Sequence, residues 1–76
     1  MRNLFTCEQF TFTQEPGVIV LRLHSTPARL TLDRIRSCGF RLDEKRKAFV
    51  RKNNFDGKNA AEYLRKQLEE DYDGRH

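Results

Sequence analysis

Phenylalanine alternates with threonine from Phe10 to Thr13, and residues 18–23 are largely apolar. With the Pro16-Gly17 step between them, this pattern predicts a β-hairpin. Proline fixes φ at the first turn position and glycine accepts a positive φ at the second, which suits a type II turn. Because tight hairpins prefer primed turns, a bulge or a wider loop near Gly17 is also expected. The expected cross-strand pairs are Gln14–Ile19, Phe12–Leu21, Phe10–Leu23, Thr13–Val20 and Thr11–Arg22.

A helix is predicted after this hairpin. Ser25-Thr26-Pro27 is a typical start, with a hydroxyl cap and proline in the first turn, and Thr31 is a competing cap. The helix is expected to end with Cys38 as its C-cap. Gly39 then takes the left-handed position and Phe40 packs back on the last turn, as in a Schellman motif. The apolar stripe of this helix comprises Ala28, Leu32, Ile35 and Cys38.

The second half of the chain repeats the order of two strands and a helix. Strands over 40–42 and 47–51 are predicted across the charged turn Asp43-Glu44-Lys45-Arg46, with Phe40 opposite Phe49. A last helix is predicted from an Asp56 cap, and acidic residues at its end should make it fray near Glu70. Its apolar stripe comprises Ala60, Ala61, Leu64, Leu68 and Tyr72, and Glu62–Lys66 is its expected ion pair.

Together these elements predict an α+β domain of order ββαββα. Its four-stranded, largely antiparallel sheet would carry both helices on one face, which is the simplest way to bury every apolar stripe. A chain of 76 residues can build one modest core, so residues 1–72 are expected to form a single domain and residues 73–76 a flexible tail.

Cysteines and apolar runs indicate a soluble intracellular protein. Cys7 and Cys38 are too few for a disulfide scaffold, and they form no metal-ligand spacing, so two reduced thiols are expected. The N-terminus lacks the pattern of a signal peptide, and no apolar run approaches the ~18 residues of a membrane span.

Candidate catalytic groups are sparse. His24 and His76 have no Cys, Ser or carboxylate at a spacing typical of a nucleophile or a metal pair. Asp43-Glu44 lie in a turn among cations, the four glycines form no phosphate loop, and the acidic run 69–73 does not match a calcium loop. The sequence therefore predicts no enzyme, metal site or cofactor.

Positive charge gathers in the middle of the chain. Residues 22–52 contain ten Lys or Arg and three acids, a net charge of +7, whereas the whole chain carries +4. Such a cluster could follow a phosphate backbone. A solvated surface or a dock for an acidic protein are the alternatives, and the acidic final helix would repel a long duplex lying across the molecule. The candidate binding cations are Arg29, Arg36, Arg41, Lys45, Arg46, Lys47, Arg51 and Lys52.

Among the six phenylalanines, Phe55 is the best candidate for an exposed aromatic anchor, because it follows Lys52-Asn53-Asn54 and lies outside the interior patterns. Stacking on a base beside cations is one role for it. A hydrophobic staple before the Asp56 cap is the other.

Residues 35–50 resemble a short module that recurs in proteins of phages, plasmids and conjugative elements. The matching residues are Gly39, Phe40, Arg41, Lys45, Ala48 and Phe49, followed by the helix from Ala60 to Leu64. The final aromatic of this module is usually Trp, and the resemblance covers about half the chain. It implies a mobile-element origin, work near nucleic acid or its enzymes, and a place in the cytoplasm of a bacterial host. Small proteins of such elements are often inhibitors of host defence, including anti-CRISPR proteins.

Two hypotheses follow. The first is a non-enzymatic protein that contacts the nucleic-acid phosphate backbone through a basic hairpin. The second is an anti-CRISPR-like inhibitor that binds a host nuclease complex, either through the basic hairpin or with its acidic helix as a nucleic-acid mimic. A structural or assembly subunit, for example a homodimer, remains a third possibility; membrane association is not expected.

Overall fold

The computed structural model describes residues 2–73, which form five strands and two helices. The strands are β1 (Arg2–Thr6), β2 (Phe10–Glu15), β3 (Val18–Leu23), β4 (Arg41–Asp43) and β5 (Ala48–Lys52), and the helices are α1 (Arg29–Ser37) and α2 (Phe55–Asp73). The expected tail 73–76 lies outside the described residues except for Asp73, which ends α2.

The α+β class is confirmed, but the four-stranded order is wrong. All five strands form one antiparallel sheet in the order β1-β2-β3-β5-β4, so the chain reads βββαββα. The unpredicted strand β1 pairs with β2 at one edge, and its register shifts between Asn3 and Phe5. This bulge breaks the period-two alternation that marks a strand in a sequence, so the usual pattern is missing there.

The β2–β3 hairpin has the predicted register at every expected pair. Gly17 has φ +80°, as the second position of a type II turn requires, and Glu15 pairs with Val18 across a two-residue loop. The expected bulge or wider loop is therefore absent from this hairpin. The register assigns Phe12 and Leu21 to the face that carries the helices and Thr13 and Val20 to the opposite face.

The core lies between the helices and this first face of the sheet. Phe10 is completely buried, and its ring contacts Phe5, Phe12 and Tyr72 at centroid distances of 5.6, 5.7 and 6.1 Å. Phe12 in turn meets the buried Phe40 edge-on at 6.2 Å. Offset and edge-on aromatic pairs contribute about 0.5–1.5 kcal/mol each beyond area burial. The helices supply Ile35, Ala61, Leu64 and Leu68.

The predicted register of the β4–β5 hairpin is wrong by two residues. Phe49 pairs with Leu42, and Phe40 precedes the strand and is buried in the core. The turn is therefore 44–47, with Lys47 at φ +53°. A shift of two preserves the faces, so Ala48 and Val50 lie opposite the helices as expected.

Helix α1 ends as predicted but starts elsewhere. Its N-cap is Ala28, so neither the Ser25-Thr26 hydroxyls nor Thr31 caps it, and Thr31 is buried instead. At the other end the N–H of Gly39 donates to Arg36 (2.9 Å) and that of Phe40 to Ile35 (3.3 Å). These are the two bonds of a Schellman motif, and Gly39 has the required positive φ of +84°.

Helix α2 begins one residue before the predicted cap and ends later than expected. The Asn54 side chain accepts from the Gly57 N–H at 2.7 Å, so Asn54 is the N-cap instead of Asp56. The acidic end remains helical to Asp73, because Tyr72 packs on the core and Asp71 lies 3.2 Å from Arg34 of α1. These tertiary contacts outweigh the unfavourable helix dipole.

Gly57 has a packing role in the first turn of α2. It is buried, and a Cβ atom at this position would overlap the backbone carbonyl oxygen of Lys52. The close approach joins the end of β5 to the start of α2.

Replacing Gly57 with alanine should destabilise the fold by roughly 1–3 kcal/mol through overpacking. This sign is opposite to the usual effect, since alanine in a helix is about 0.5–1 kcal/mol better than glycine. Chemical denaturation measures the change. Asn59→Ala, at an exposed position of the same helix, is the matched control and should be neutral or slightly stabilising. A Gly57→Ala protein as stable as wild type would contradict the close packing.

Candidate nucleic-acid interface

A shallow depression of about 490 Å³ lies at one end of the sheet, where β4 begins and β5 ends. Three of the predicted cations line it: Arg41, Arg51 and Lys52. The remaining lining residues in the described chain are neutral, and they include Asn54 and two glycines that leave the backbone accessible. We call this site the basic depression.

Arg51 is positioned by the end of α1. It lies on the helix side of β5, where its guanidinium packs on Gly39 and donates a hydrogen bond to the Cys38 carbonyl. A side chain at position 39 would overlap this guanidinium. The glycine demanded by the Schellman motif therefore also makes room for the arginine. Arg51 is half-buried, so it combines a capping role with a place in the depression.

Exposed cations continue from the depression along the edge strand β4. Arg41 begins β4, and Lys45 and Lys47 lie in the turn that follows it. Lys52 pairs with Val18 on the same sheet face as Arg41. None of these four cations forms an ion pair within residues 2–73. We call Arg41, Lys45, Lys47 and Lys52 the basic edge.

Arg46 is at the same turn but is engaged by carboxylates. Its Nη1 donates to Asp43 at 2.6 Å, and its Nε lies 3.5 Å from Glu15. Asp43 also accepts from the backbone N–H groups of Lys45 and Arg46, which fixes the turn. The side-chain and backbone hydrogen bonds from Arg46 hold the pKa of the half-buried Asp43 carboxyl below its usual 3.8.

The sheet face opposite the helices has no second layer among the described residues, and ion pairs cross it instead. Glu15 receives Arg22 at 3.7 Å as well as Arg46, and Arg22 also donates to Thr13. Glu15 and Arg22 lie on either side of the row that contains Val20, so their side chains meet above it. Val20 is completely buried on this face, and Thr13 and Ala48 are also buried there.

The candidate cations of α1 are separate from the depression. Arg29 and Arg36 are exposed, near opposite ends of the helix, and neither lines the depression. Arg34, between them, faces α2 and donates to Gln67 beside its ion pair with Asp71. The Arg34 side chain therefore links α1 to α2 through these contacts.

Phe55 is 79% exposed, directly after Asn54 of the basic depression. The staple interpretation is therefore wrong, because a staple would pack this ring against the helix. An exposed aromatic ring next to cations is the arrangement that a stacking anchor requires.

His24 and the two cysteines are the side chains most suited to catalysis, and their contacts and burial are as follows. The ring of His24 contacts the Glu8 carbonyl at 2.9 Å through Nδ1 and the Thr11 hydroxyl at 2.8 Å through Nε2. Because a carbonyl only accepts, Nδ1 carries a hydrogen. Cys7 and Cys38 are free thiols, and burial raises the pKa of Cys38 against the opposing charge of Arg51. A raised pKa disfavours the reactive thiolate.

Three acids of α2, Glu62, Glu69 and Asp71, are engaged by cations. The predicted pair Glu62–Lys66 is replaced by contacts of Arg65 with Glu62 (3.2 Å) and Glu69 (2.9 Å). Residues 2–73 contain no group of three or more His, Cys, Asp or Glu side chains that could hold a metal ion. Neither described helix is long and apolar enough to cross a membrane.

The sequence pattern identified the cations of the basic edge. It did not distinguish them from Arg46, which is paired with carboxylates, or from Arg51, which is bonded to the Cys38 carbonyl. Glu15 was missed as the partner of Arg46 because the two residues are 31 positions apart along the chain, and Arg22 was missed although it lies in the same hairpin as Glu15. The predicted β2–β3 register placed Thr13, Val20 and Arg22 on one face, and extending it to Glu15 would have indicated that Glu15 and Arg22 share that face.

Comparison with known proteins found no matching family model, no matching curated protein and no matching solved structure.

The Asp43–Arg46 contacts predict a pH-dependent stability. Because the folded-state pKa of Asp43 is depressed, its contribution is present above about pH 4 and is lost as the pH falls through the folded-state value. Asp43→Asn should therefore lower the melting temperature at neutral pH and reduce the loss of stability on acidification. Thermal unfolding followed by circular dichroism measures both effects.

Asp33→Asn is the control, since Asp33 is exposed and its carboxylate forms no ion pair in the described chain. It should leave the melting temperature at neutral pH near the wild-type value. Equal acid sensitivity of the Asp43→Asn and wild-type proteins would contradict the assigned role of Asp43.

Proposed function

We propose that the protein is a non-enzymatic binding protein that contacts nucleic acid through the basic edge and the basic depression. The observation that supports this most is the grouping of Arg41, Arg51 and Lys52 around one depression without a described carboxylate. Phosphate oxygens are suitable ligands for such a group, since guanidinium and ammonium donors bind them with charge-assisted hydrogen bonds.

Single-stranded nucleic acid suits this surface better than a duplex. Cations follow one strand, β4, together with its turn, and Phe55 offers a ring on which an unpaired base could stack. The two paired helices lie on the other side of the sheet from Arg41 and Lys52.

The inhibitor hypothesis differs in its target but uses the same surface. An acidic patch on a nuclease complex could bind the basic edge as a phosphate backbone would. The version in which α2 mimics nucleic acid is less favoured, because Glu62, Glu69 and Asp71 are engaged by Arg65 and Arg34. A mobile-element origin remains part of this proposal, and it rests on the resemblance of residues 35–50.

Removing Arg41 and Lys52 together should weaken binding to a labelled single-stranded oligonucleotide and flatten its salt dependence. Two lost phosphate contacts reduce the slope of log K against log salt by about 1.4, at ~0.7 per contact for single strands. Fluorescence anisotropy over a salt series measures both effects. Lys66→Ala, at an exposed position of α2, is the control and should change neither.

Absence of saturable binding to single- or double-stranded DNA or RNA at low salt would overturn the proposal. If the wild-type protein instead forms a stable complex with a purified nuclease effector through Arg41 and Lys52, the inhibitor hypothesis replaces it.

Phe55 can be tested with a substitution that is also a probe. The chain contains no tryptophan, so Phe55→Trp introduces a single indole at the exposed position. Stacking on a base should quench its fluorescence. Phe55→Ala should weaken binding by about 1–3 kcal/mol, or roughly 5- to 150-fold, with the melting temperature unchanged. Unquenched indole fluorescence in a saturated complex would show that the ring does not stack.

A further inference from the structure

A cleft of about 350 Å³ separates β1 from the flank of α2, at the opposite side of the sheet from β4. Its floor is apolar and includes Leu4, Phe5, Phe12, Ile19 and Ala61. Leu4 is 42% exposed and Phe5 is half-buried, because the described helices do not cover the inward side of β1. The cleft has the size and apolar lining of a binding site, at the lower end of the usual volume range.

The outer edge of β1 has no partner strand among residues 2–73. An unpaired edge presents backbone N–H and C=O groups that can accept another strand. Here that edge runs beside a cleft whose other wall is a helix. An extended peptide that pairs with such an edge can place alternate side chains into the adjoining groove.

Charge indicates which peptide the cleft suits. Arg2, Lys58 and Arg65 line it together with a single carboxylate, Glu62, for a net charge of +2. Arg65 is already engaged, since it stacks over Phe5 at 4.9 Å and contacts Glu62 and Glu69. Arg2 and Lys58 form no ion pair in the described chain, so their charges are available to a ligand.

A second copy of the chain is a poor occupant. The β1 strand of a second copy would bring the positive Arg2 and no acidic residue to the positive rim of the cleft. An acidic strand from another protein would instead match the positive rim.

We propose that the cleft between β1 and α2 binds an extended acidic peptide segment of a partner protein by β-strand addition to β1. The peptide carries an apolar side chain that enters the cleft and acidic side chains on the same face, beside Arg2 and Lys58. This site is distinct from the basic depression at the other edge of the sheet.

The probe is the peptide Thr-Glu-Thr-Phe-Thr-Glu-Thr, which places Glu, Phe and Glu on one face of a strand in either direction. Titration into isotopically labelled protein, followed by amide chemical shifts, should give saturable changes at β1 and around Lys58. Three comparison peptides replace the Glu pair with Lys, the Phe with Ala, or the Thr residues flanking Phe with Pro. Each should bind more weakly, because it carries the opposite charge, has no apolar anchor or has fewer backbone donors, respectively.

Lys58→Glu should weaken binding of the probe several-fold, whereas the matched charge reversal Lys66→Glu, outside the cleft, should not. Arg41→Ala with Lys52→Ala should leave peptide binding unchanged, which separates this site from the proposed nucleic-acid interface. The proposal is overturned if the probe gives no saturable change at β1, or if the proline peptide binds equally well. It is also overturned if only a small apolar carboxylate, such as N-acetylphenylalanine, occupies the cleft.

Discussion

The ratio of two helices to five strands is the constraint on which this structure depends. Strands lie about 4.8 Å apart and packed helices about 8–10 Å apart, so two helices cover roughly four strands on one face of a sheet. The central strands and the helices thus enclose the core around Phe10 and Leu64. Three surfaces remain outside that layer: the opposite sheet face, the inward side of β1, and the basic edge along β4 with the depression at its end.

The three uncovered surfaces differ in the side chains that occupy them. On the face opposite the helices, Arg22, Arg46 and Glu15 meet across the sheet above Val20. Their long charged side chains cover Val20, which a second layer would otherwise cover. Beside β1, Leu4 and Phe5 remain partly exposed along a cleft. Along β4, exposed cations remain without carboxylate partners in the described chain. The two proposed binding sites therefore occupy the two edges of one sheet.

Local rules predicted those parts of the fold that close over a few residues. The Pro16-Gly17 turn determines the β2–β3 register because it leaves only one pairing that sorts Phe12 and Leu21 from Thr13 and Val20. The Schellman motif at Gly39 is equally local. The prediction was wrong for strand β1 and for the β4–β5 register, which depend on more than a local sequence pattern. The bulge conceals β1, and with Phe40 buried against Phe12 the β4–β5 turn lies one residue later than predicted, which shifts the register by two.

By itself, the sequence determined the α+β class, the inward faces of the first hairpin and of α2, and the concentration of cations between residues 22 and 52. Those features follow from periodicity, turn chemistry and composition, which need no knowledge of distant neighbours. Only the tertiary structure decided which cations are available. Arg22, Arg34 and Arg46 are drawn to carboxylates on other elements, and Arg51 to the end of α1. Charge on a side chain is a property of the residue, whereas its freedom to bind depends on which groups the fold brings within reach.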